Sequence, residues 1–413
     1  MTDISAASAA RLRKRHRNEK LFRGAGRGAI FLAIAFLGTL LVSIGYTGHT
    51  AFQQTTVDLR VNLPADPAKA NYPGLVKMTL RETFPDVSGR RNKKELYRLL
   101  SSGAAWELQS WLEENPGLAG TQATVTFTAS DDVDMLIKGK VSRLDEPDVR
   151  RLSDRQVAWI GKLESDGNLK TGFNTNFFFN GDSREPEIAG IAAAMAGSFF
   201  SLLICLLMAF PLGAMAAIYL EEFAPKTRLT GIIEVNINNL AAVPSIVFGL
   251  LGLAIFLNFF ELPRSAPLVG GMVLALMTLP TIIITSRASL KAVPPSIREA
   301  ALAVGASNVQ AVFHHVLPLA MPGVLTGTII GMARAIGETA PLLMIGMVAF
   351  VVDVPKNILE PATALPVQVF LWADAPERAF GERTAATIIV LLVFLMAMNL
   401  VAVVLRRKFE TRW

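Results

Sequence analysis

Charge is scarce in this chain. Of its 413 residues, 18% are charged and 52% hydrophobic, and the mean hydropathy is +0.41. A soluble domain typically has about a quarter of its residues charged and somewhat under half apolar. The shortage is clustered: Ile188 to Leu220 is 33 residues without an Asp, Glu, Lys or Arg. About 20 apolar residues span a bilayer, so a wholly soluble protein is excluded. Cysteine is nearly missing. Cys205 is the single one, which rules out an internal disulfide and a C-x-x-C metal or redox site. It reads as a small buried hydrophobe. The four histidines (His16, His49, His314, His315) form neither H-E-x-x-H nor an i,i+4 pair, which argues against zinc catalysis. No G-x-x-x-x-G-K followed by Ser or Thr occurs, so the chain brings no P-loop of its own. ATP and magnesium, if used, belong on another chain, and no cofactor or metal is expected here.

What charge there is sits in blocks. Residues 1–27 hold eight Lys/Arg and two acids, while residues 49–187 hold 18 basic and 20 acidic residues. A basic tail suits nucleic acid or anionic lipid. This one abuts an apolar segment and lacks interleaved aromatics, so it reads as positive-inside anchoring, with no nucleic-acid partner. Six apolar spans follow from the hydropathy: 28–48, then Ile188–Leu220, Leu229–Phe260, Ala266–Ser286, Gly323–Val352 and Thr384–Leu405. The first is too long for a signal-peptide core. Six spans put both termini on one side, and the basic tails 1–27 and 406–413 assign that side to the cytoplasm. The expected address is a bacterial inner membrane. The loop 353–383, with five acids and three Lys/Arg, then faces outward. Pro211, Pro244 and Pro280 interrupt their spans, and their freed carbonyls need partners in a bundle or cavity.

Residues 49–187 are polar enough for one α+β domain between the first two spans, outside the membrane. Val57, Leu59, Val61 and Leu63 alternate as in a half-buried strand. Lys93–Glu114 has helical spacing, Gln122–Ala129 reads as a second strand, and Ser153-x-x-Gln156 is a capping box. The domain shows no catalytic constellation. Acid pairs such as Asp131-Asp132 and Glu113-Glu114 read as solvated surface.

Residues 291–322, between the fourth and fifth spans, are punctuated more sharply. Pro294-Pro295 precede Ser296-x-x-Glu299, a capping box with Ser296 as N-cap. Gly305 suits the C′ position of the helix that follows. Ser307-x-x-Gln310 opens a second helix, expected to end near Pro318. Ala300, Ala301, Leu302 and Val304 place small and apolar side chains on a helical hairpin exposed to the cytoplasm. Arg298 is the only Lys/Arg between Ser296 and Pro322, too few for a helix lying on lipid, so the surface reads as a protein contact.

Glu299-Ala300-Ala301, Gly305 and Leu317-Pro318 resemble the EAA loop of ABC importer permeases, over about residues 188–413. In that family the loop docks into a cleft of the cytoplasmic ATPase, so the resemblance implies ATPase coupling through Ser296, Glu299, Ala300, Ala301 and Gly305. It also implies the type I permease architecture, with about six transmembrane helices.

Charges inside the spans carry the remaining signal. Arg334 lies 11 residues past Gly323, about 16 Å along a helix and near the midplane of the expected span. Ionisable groups at that depth are functional candidates. Arg334 and Glu338 form either an i,i+4 pair that locks packing or an anion site, because an arginine fork matches phosphate or sulfate oxygens. Arg287 ends the fourth span, as a positive-inside anchor or as part of the path. Glu234, Asn238 and Asn239, early in the third span, read as interhelical glue or as pathway lining.

Asn239-LAAVPSIVFGLLGLAIF-Leu257 and Gly331-MARAIGETAPLL-Leu343 resemble phosphate-specific permeases of the PstA type. That likeness implies that Arg334, Glu338 and Arg287 serve phosphate passage. It implies a heterodimer with a second permease subunit, two ABC ATPase subunits and a periplasmic phosphate-binding protein. The chain departs from this pattern at 49–187, where typical members have a short loop. The expected function is half of the translocation path of a phosphate importer. Sulfate, molybdate or phosphonate permeases are the nearest alternatives, and a membrane sensor with a periplasmic input domain a more distant one.

Overall fold

The computed structural model describes residues 2–348 and 350–409, so part of the 406–413 tail and Met1 of the 1–27 tail lie outside the described residues. Helix α1, Thr2–Gly48, joins the basic and apolar segments without a break. Its apolar residues from Ile30 to Val42 are exposed, and it touches the rest of the molecule near its C-terminal end. There Gly48 lies directly against the backbone of Ala385 and Ala386.

Strand β1, Gln53–Asn62, is central in a three-stranded antiparallel sheet of order β2-β1-β3. Strand β2 is Gln122–Thr128 and β3 is Leu169–Phe173. Val57 sits opposite Phe127 and Leu59 opposite Val125. The alternation read in β1 is the burial pattern found: Val57, Leu59 and Val61 are inside, with Arg60 and Asn62 outside. Against the buried face pack α2 (Tyr72–Thr83), α3 (Arg90–Tyr97), α4 (Ala104–Glu114) and α5 (Asp131–Ile137), through Leu80, Leu96, Leu108, Leu112 and Val133. Helix α6, Asp154–Ser165, carries the expected Ser153/Gln156 capping box.

Two expectations for this domain fail. Lys93–Glu114 is two helices. Residues 98–103 turn aside because Ser101 N–H donates to Thr128 and Ser130 N–H to Leu99, so the backbone there serves the end of β2. Asp131 and Asp132 are not a solvated pair. They line a small cleft with Arg150, Arg151 and Arg378, and burial, then the neighbouring Asp131, pushes the Asp132 carboxyl up to about 6.

Five described helices are long and apolar enough to cross a membrane, or six if one bent pair is a single span. Helix α7, Ala192–Ile218, ends in a widened turn at Tyr219–Phe223. The third expected span is broken: α8, Arg228–Ala241, and α9, Ser245–Gly252 with its extension to Phe259, meet at 101°. Pro244 stands at the break with φ −56° and ψ 137°, because its ring fixes φ and it donates no N–H to the preceding helix. Helix α10, Pro267–Lys291, is the buried centre of the bundle. Helix α11, Pro295–Ala303, is the first arm of the hairpin.

The second arm does not end at Pro318. It runs from Asn308 through a widened turn at Ala311–Val316 into α12, Leu317–Ile336. The wide turn lies just before Pro318, which lacks the N–H for an ordinary helical bond. The fifth span therefore stops at Ile336 and not at Val352. Gly337 caps it, and a short helix, α13 (Ala340–Met344), follows with Pro341 in its first turn. Helix α14 is Leu365–Ala373, and the last helix, α15, is Arg378–Phe409, six residues longer at its start than expected. That added turn is anchored: Phe380 packs on Trp372, and Lys138 of the sheet domain donates to Glu382 at 2.9 Å.

Candidate functional site

The break after α12 sets the position of Arg334. It lies in the last turn of the helix, two residues before its end, not midway along a span. The break is still inside the bundle, since Met332, Ala335, Ile336, Leu342 and Ile345 belong to one apolar cluster with Phe248 and Val273. Arg334 Nε faces Glu338 Oε1 at 3.3 Å, an i,i+4 pair across the break, and the Arg334 side chain is 48% exposed. Among the described hydrogen bonds, none engages its two terminal nitrogens. The outer edge of the guanidinium fork is thus available to a planar or tetrahedral oxyanion.

Arg287 is arranged oppositely. Near the end of α10, its Nη2 donates to Glu234 Oε1 at 2.6 Å and its Nε to Glu221 Oε2 at 3.3 Å. It is neither a simple anchor nor an open anion site. Glu234, on α8, is therefore an ion-pair partner, whereas Asn238 and Asn239 make no described side-chain hydrogen bond. The two arginines are also apart. In the packing of α12 on α10, Gly323 faces Ser289, Gly327 faces Thr285 and Gly331 lies between Ile282 and Thr278. Extending that ladder puts Arg334 about ten residues from the level of Arg287, or about 15 Å along the axis.

The hairpin has most of the expected punctuation, with one correction. Ser296 does not cap α11. Pro294 holds the N-cap position and Pro295 opens the helix, so Ser296 and Glu299 lie within it and no side-chain cap forms. Proline is favoured at the first helical position, where no N–H is needed. At the other end Gly305 has φ +95°, Ala306 N–H donates to Ala301, and Gly305 N–H donates to Leu302. These are the paired hydrogen bonds of a glycine-terminated helix. Ser307 and Gln310 form the second capping box. Ser296, Glu299, Ala300 and Gly305 are exposed, but Ala301, expected on the same exposed surface, is buried. Leu302, Val309 and Phe313 are exposed beside them, as is Val304 at 85%.

Residues 209–413 match the family described as binding-protein-dependent transport system inner membrane component. A probable ABC transporter permease protein YqgI of Bacillus subtilis (strain 168) is 30% identical over 237 residues, which are 53% of this chain and 80% of that relative. The phosphate transport system permease protein PstA of Yersinia pestis is 32% identical over 219 residues, 53% of this chain and 73% of that relative. The chain belongs to this permease family. It is an ABC transporter permease subunit of the inner membrane, a transport component and not an enzyme. Residues 9–146 of the permease match a second family, described as a domain of unknown function. Among solved structures, an inward-facing MetNI methionine ABC transporter is 16% identical. The match covers 54% of this chain and 94% of that one, with a TM-score of 0.41.

Two site residues of the permease escaped the sequence reading. Glu221 and Glu222 follow directly on the charge-free run and bind Arg287 and Arg298. The available signal was two acids at the end of a span whose side was assigned as cytoplasmic, where Lys and Arg are the usual residues.

Proposed function

We propose that this permease is a transmembrane subunit of an ATP-driven importer of inorganic phosphate and forms half of its translocation path. The observation that carries the reading is Arg334: a half-exposed guanidinium at a helix break inside an apolar cluster, with only its Nε engaged. Phosphate offers the paired oxygens that such a fork binds. Glu338 holds the arginine in place and limits how long an anion stays. The likeness to PstA permeases supports phosphate as the anion. The hairpin 291–322 docks on the ATPase, because exposed Glu299, Ala300, Leu302 and Val304 form a small apolar surface with one acid. The remaining partners are a second permease subunit, two copies of the ATPase and a periplasmic phosphate-binding protein. Both termini and the hairpin then face the cytoplasm, and the sheet domain faces outward, where it meets the binding protein or caps the outer mouth.

The test is radiolabelled phosphate uptake in cells lacking this gene, restored with wild type or Arg334→Gln at matched membrane levels. Sulfate and molybdate are the competitors. Wild type restores uptake that only phosphate competes, and the variant loses at least about tenfold, one lost charge-assisted pair being worth about 1.5–3 kcal/mol. Variant uptake equal to wild type returns Arg334 to packing. Competition by sulfate or molybdate changes the anion. Glu299→Lys abolishes uptake while the protein still reaches the membrane. Intact uptake in that variant would detach the hairpin from coupling.

A further inference from the structure

The two neighbouring acids at the end of α7 each hold an arginine from a different element. Glu222 takes Arg298 of the hairpin helix α11 in a two-toothed pair, Nε to Oε2 at 3.0 Å and Nη2 to Oε1 at 2.5 Å. Arg298 also donates to the carbonyls of Val293 and Leu290 at the end of α10 and just beyond it. Glu221 takes Arg287 of α10, with Lys291 Nζ at 3.6 Å from the same oxygen, and Glu234 of α8 completes the chain of charges. Beneath these pairs lies one apolar cluster built from Ala217, Ile218, Ile283, Leu290, Val293, Val312 and Val316. The hairpin helix, α7 and α10 are thus fastened to one another at the same level.

The backbone carrying the acids is not an ordinary helix. Tyr219–Phe223 is a turn with i→i+5 bonding, and the hairpin's second arm enters the membrane through another, Ala311–Val316. Such turns are single-turn defects that recur at functional positions. A widened turn can revert to α-helix, which rotates the residues it carries. Glu221 and Glu222 are consecutive, so neither can rotate without the other.

We propose that Glu221 and Glu222 form a charge relay that couples the hairpin to the anion path. Arg287 is neutralised by Glu221 and Glu234 in the conformation seen here. Displacement of Arg298 by ATPase closure pulls Glu222, turns Glu221 away and presents Arg287 to the anion about 15 Å beyond Arg334. The relay rests on the phosphate-permease reading and adds to it the residues that gate the second arginine. Glu221 and Glu222 are positioning residues, acting through Arg287 and Arg298.

The experiment uses the assembled transporter in proteoliposomes and measures phosphate moved per ATP hydrolysed. Glu222→Gln and Arg298→Gln each keep ATP hydrolysis while that ratio falls about tenfold, within the ordinary range of coupling between sites. The double variant is no worse than either single one, because both remove one link. Glu221→Gln leaves the Glu222–Arg298 pair intact. It lowers the KM for phosphate several-fold and slows turnover, since Arg287 then loses one of its two carboxylates and competes for the anion. A wild-type ratio in Glu222→Gln, losses that multiply in the double variant, or an unchanged KM in Glu221→Gln overturns the relay. A wild-type assembly that moves sulfate in place of phosphate fails the substrate reading instead, and the relay is then scored on the sulfate ratio.

Discussion

Residues 49–187 carry 38 charged residues, 18 Lys/Arg and 20 Asp/Glu, and several of their ion pairs lie in water. Arg143 and Glu164 are 46% and 52% exposed, and Lys69 and Asp66 are more exposed still. The bundle is sparse in charge, yet three of its arginines have carboxylate partners: Arg287 in Glu221 and Glu234, Arg298 in Glu222 and, through Nε alone, Arg334 in Glu338. The difference follows from the solvent. Water solvates a surface ion at no cost, so the sheet domain can scatter charges and fold on apolar alternation alone. In the bundle an unpaired ion is expensive, so these buried and half-buried arginines are placed against carboxylates, and the pairs from different helices mark where the helices are fastened.

The junction between the two regions follows the bundle's rule, and its removal is the largest effect expected. Lys138 Nζ lies 2.6 Å from Asp134 and 2.9 Å from Glu382, with its side chain 3% exposed. Arg383 is buried next to it and donates to the Ala189 carbonyl. Lys138→Met strands two buried carboxylates and costs about 3–5 kcal/mol. Thermal unfolding of the purified permease in detergent checks it. A change below about 1 kcal/mol would mean that the junction behaves like the domain surface.

The same contrast explains what could be read without a structure. Strand β1 was legible because burial on one face writes period-two alternation into Val57, Leu59 and Val61. Strand β3 was not, since Lys170 to Phe173 are all exposed and no alternation is selected there. The spans were legible as apolar runs, but their breaks were not. Hydropathy continues smoothly through Ala242–Val243 while the backbone turns, and at the second break Glu338 stood out as a charge and not as the end of a helix. Arg334 and Arg287 stood out as charges near or in apolar runs. Their partners stayed hidden, because Glu221 and Arg287 are 66 residues apart and no local spacing joins them. The hairpin was read almost whole, being built from local signals: Gly305, Ser307 and Gln310. Ser296 failed there for a local reason too, since Pro295 at the first helical position moved the helix start two residues toward the N-terminus.

An intermediate effect is expected at Glu187, which faces the same junction. Burial pushes its carboxyl from an ordinary 4.5 up to about 7, with Asp131 and Glu185 adding repulsion and Ser101 opposing. Lys138, Asp134, Glu382 and Arg383 line the same small cavity. The folded state therefore holds a proton that the unfolded chain has released. Its contribution is complete below about pH 4.5 and is lost as pH rises through about 7. The loss between about pH 5 and about pH 8 is on the order of 1–3 kcal/mol. Glu187→Gln keeps the shape and removes the titration. Unfolding temperatures across that window should fall less steeply in the variant than in the wild type. Parallel curves would assign the pH response to another group.

The smallest effect belongs to Arg143 and Glu164, whose 2.5 Å contact is as short as that of Arg298 with Glu222. If distance set the strength of an ion pair, the two would matter equally. In water the Coulomb gain is screened and two long side chains lose their freedom, so an exposed pair is worth about 0.2–1 kcal/mol. Arg143→Ala should lower stability by no more than that. The deficit should vanish in about 1 M salt, where the screening length is only about 3 Å. The main chain of Arg143, which accepts from Arg150 Nη1 at 2.6 Å, survives the substitution, so any larger loss cannot be blamed on a broken loop. A loss near that of Lys138→Met would show that the sheet domain depends on its surface charges as the bundle depends on its buried ones, and the two regions would no longer differ.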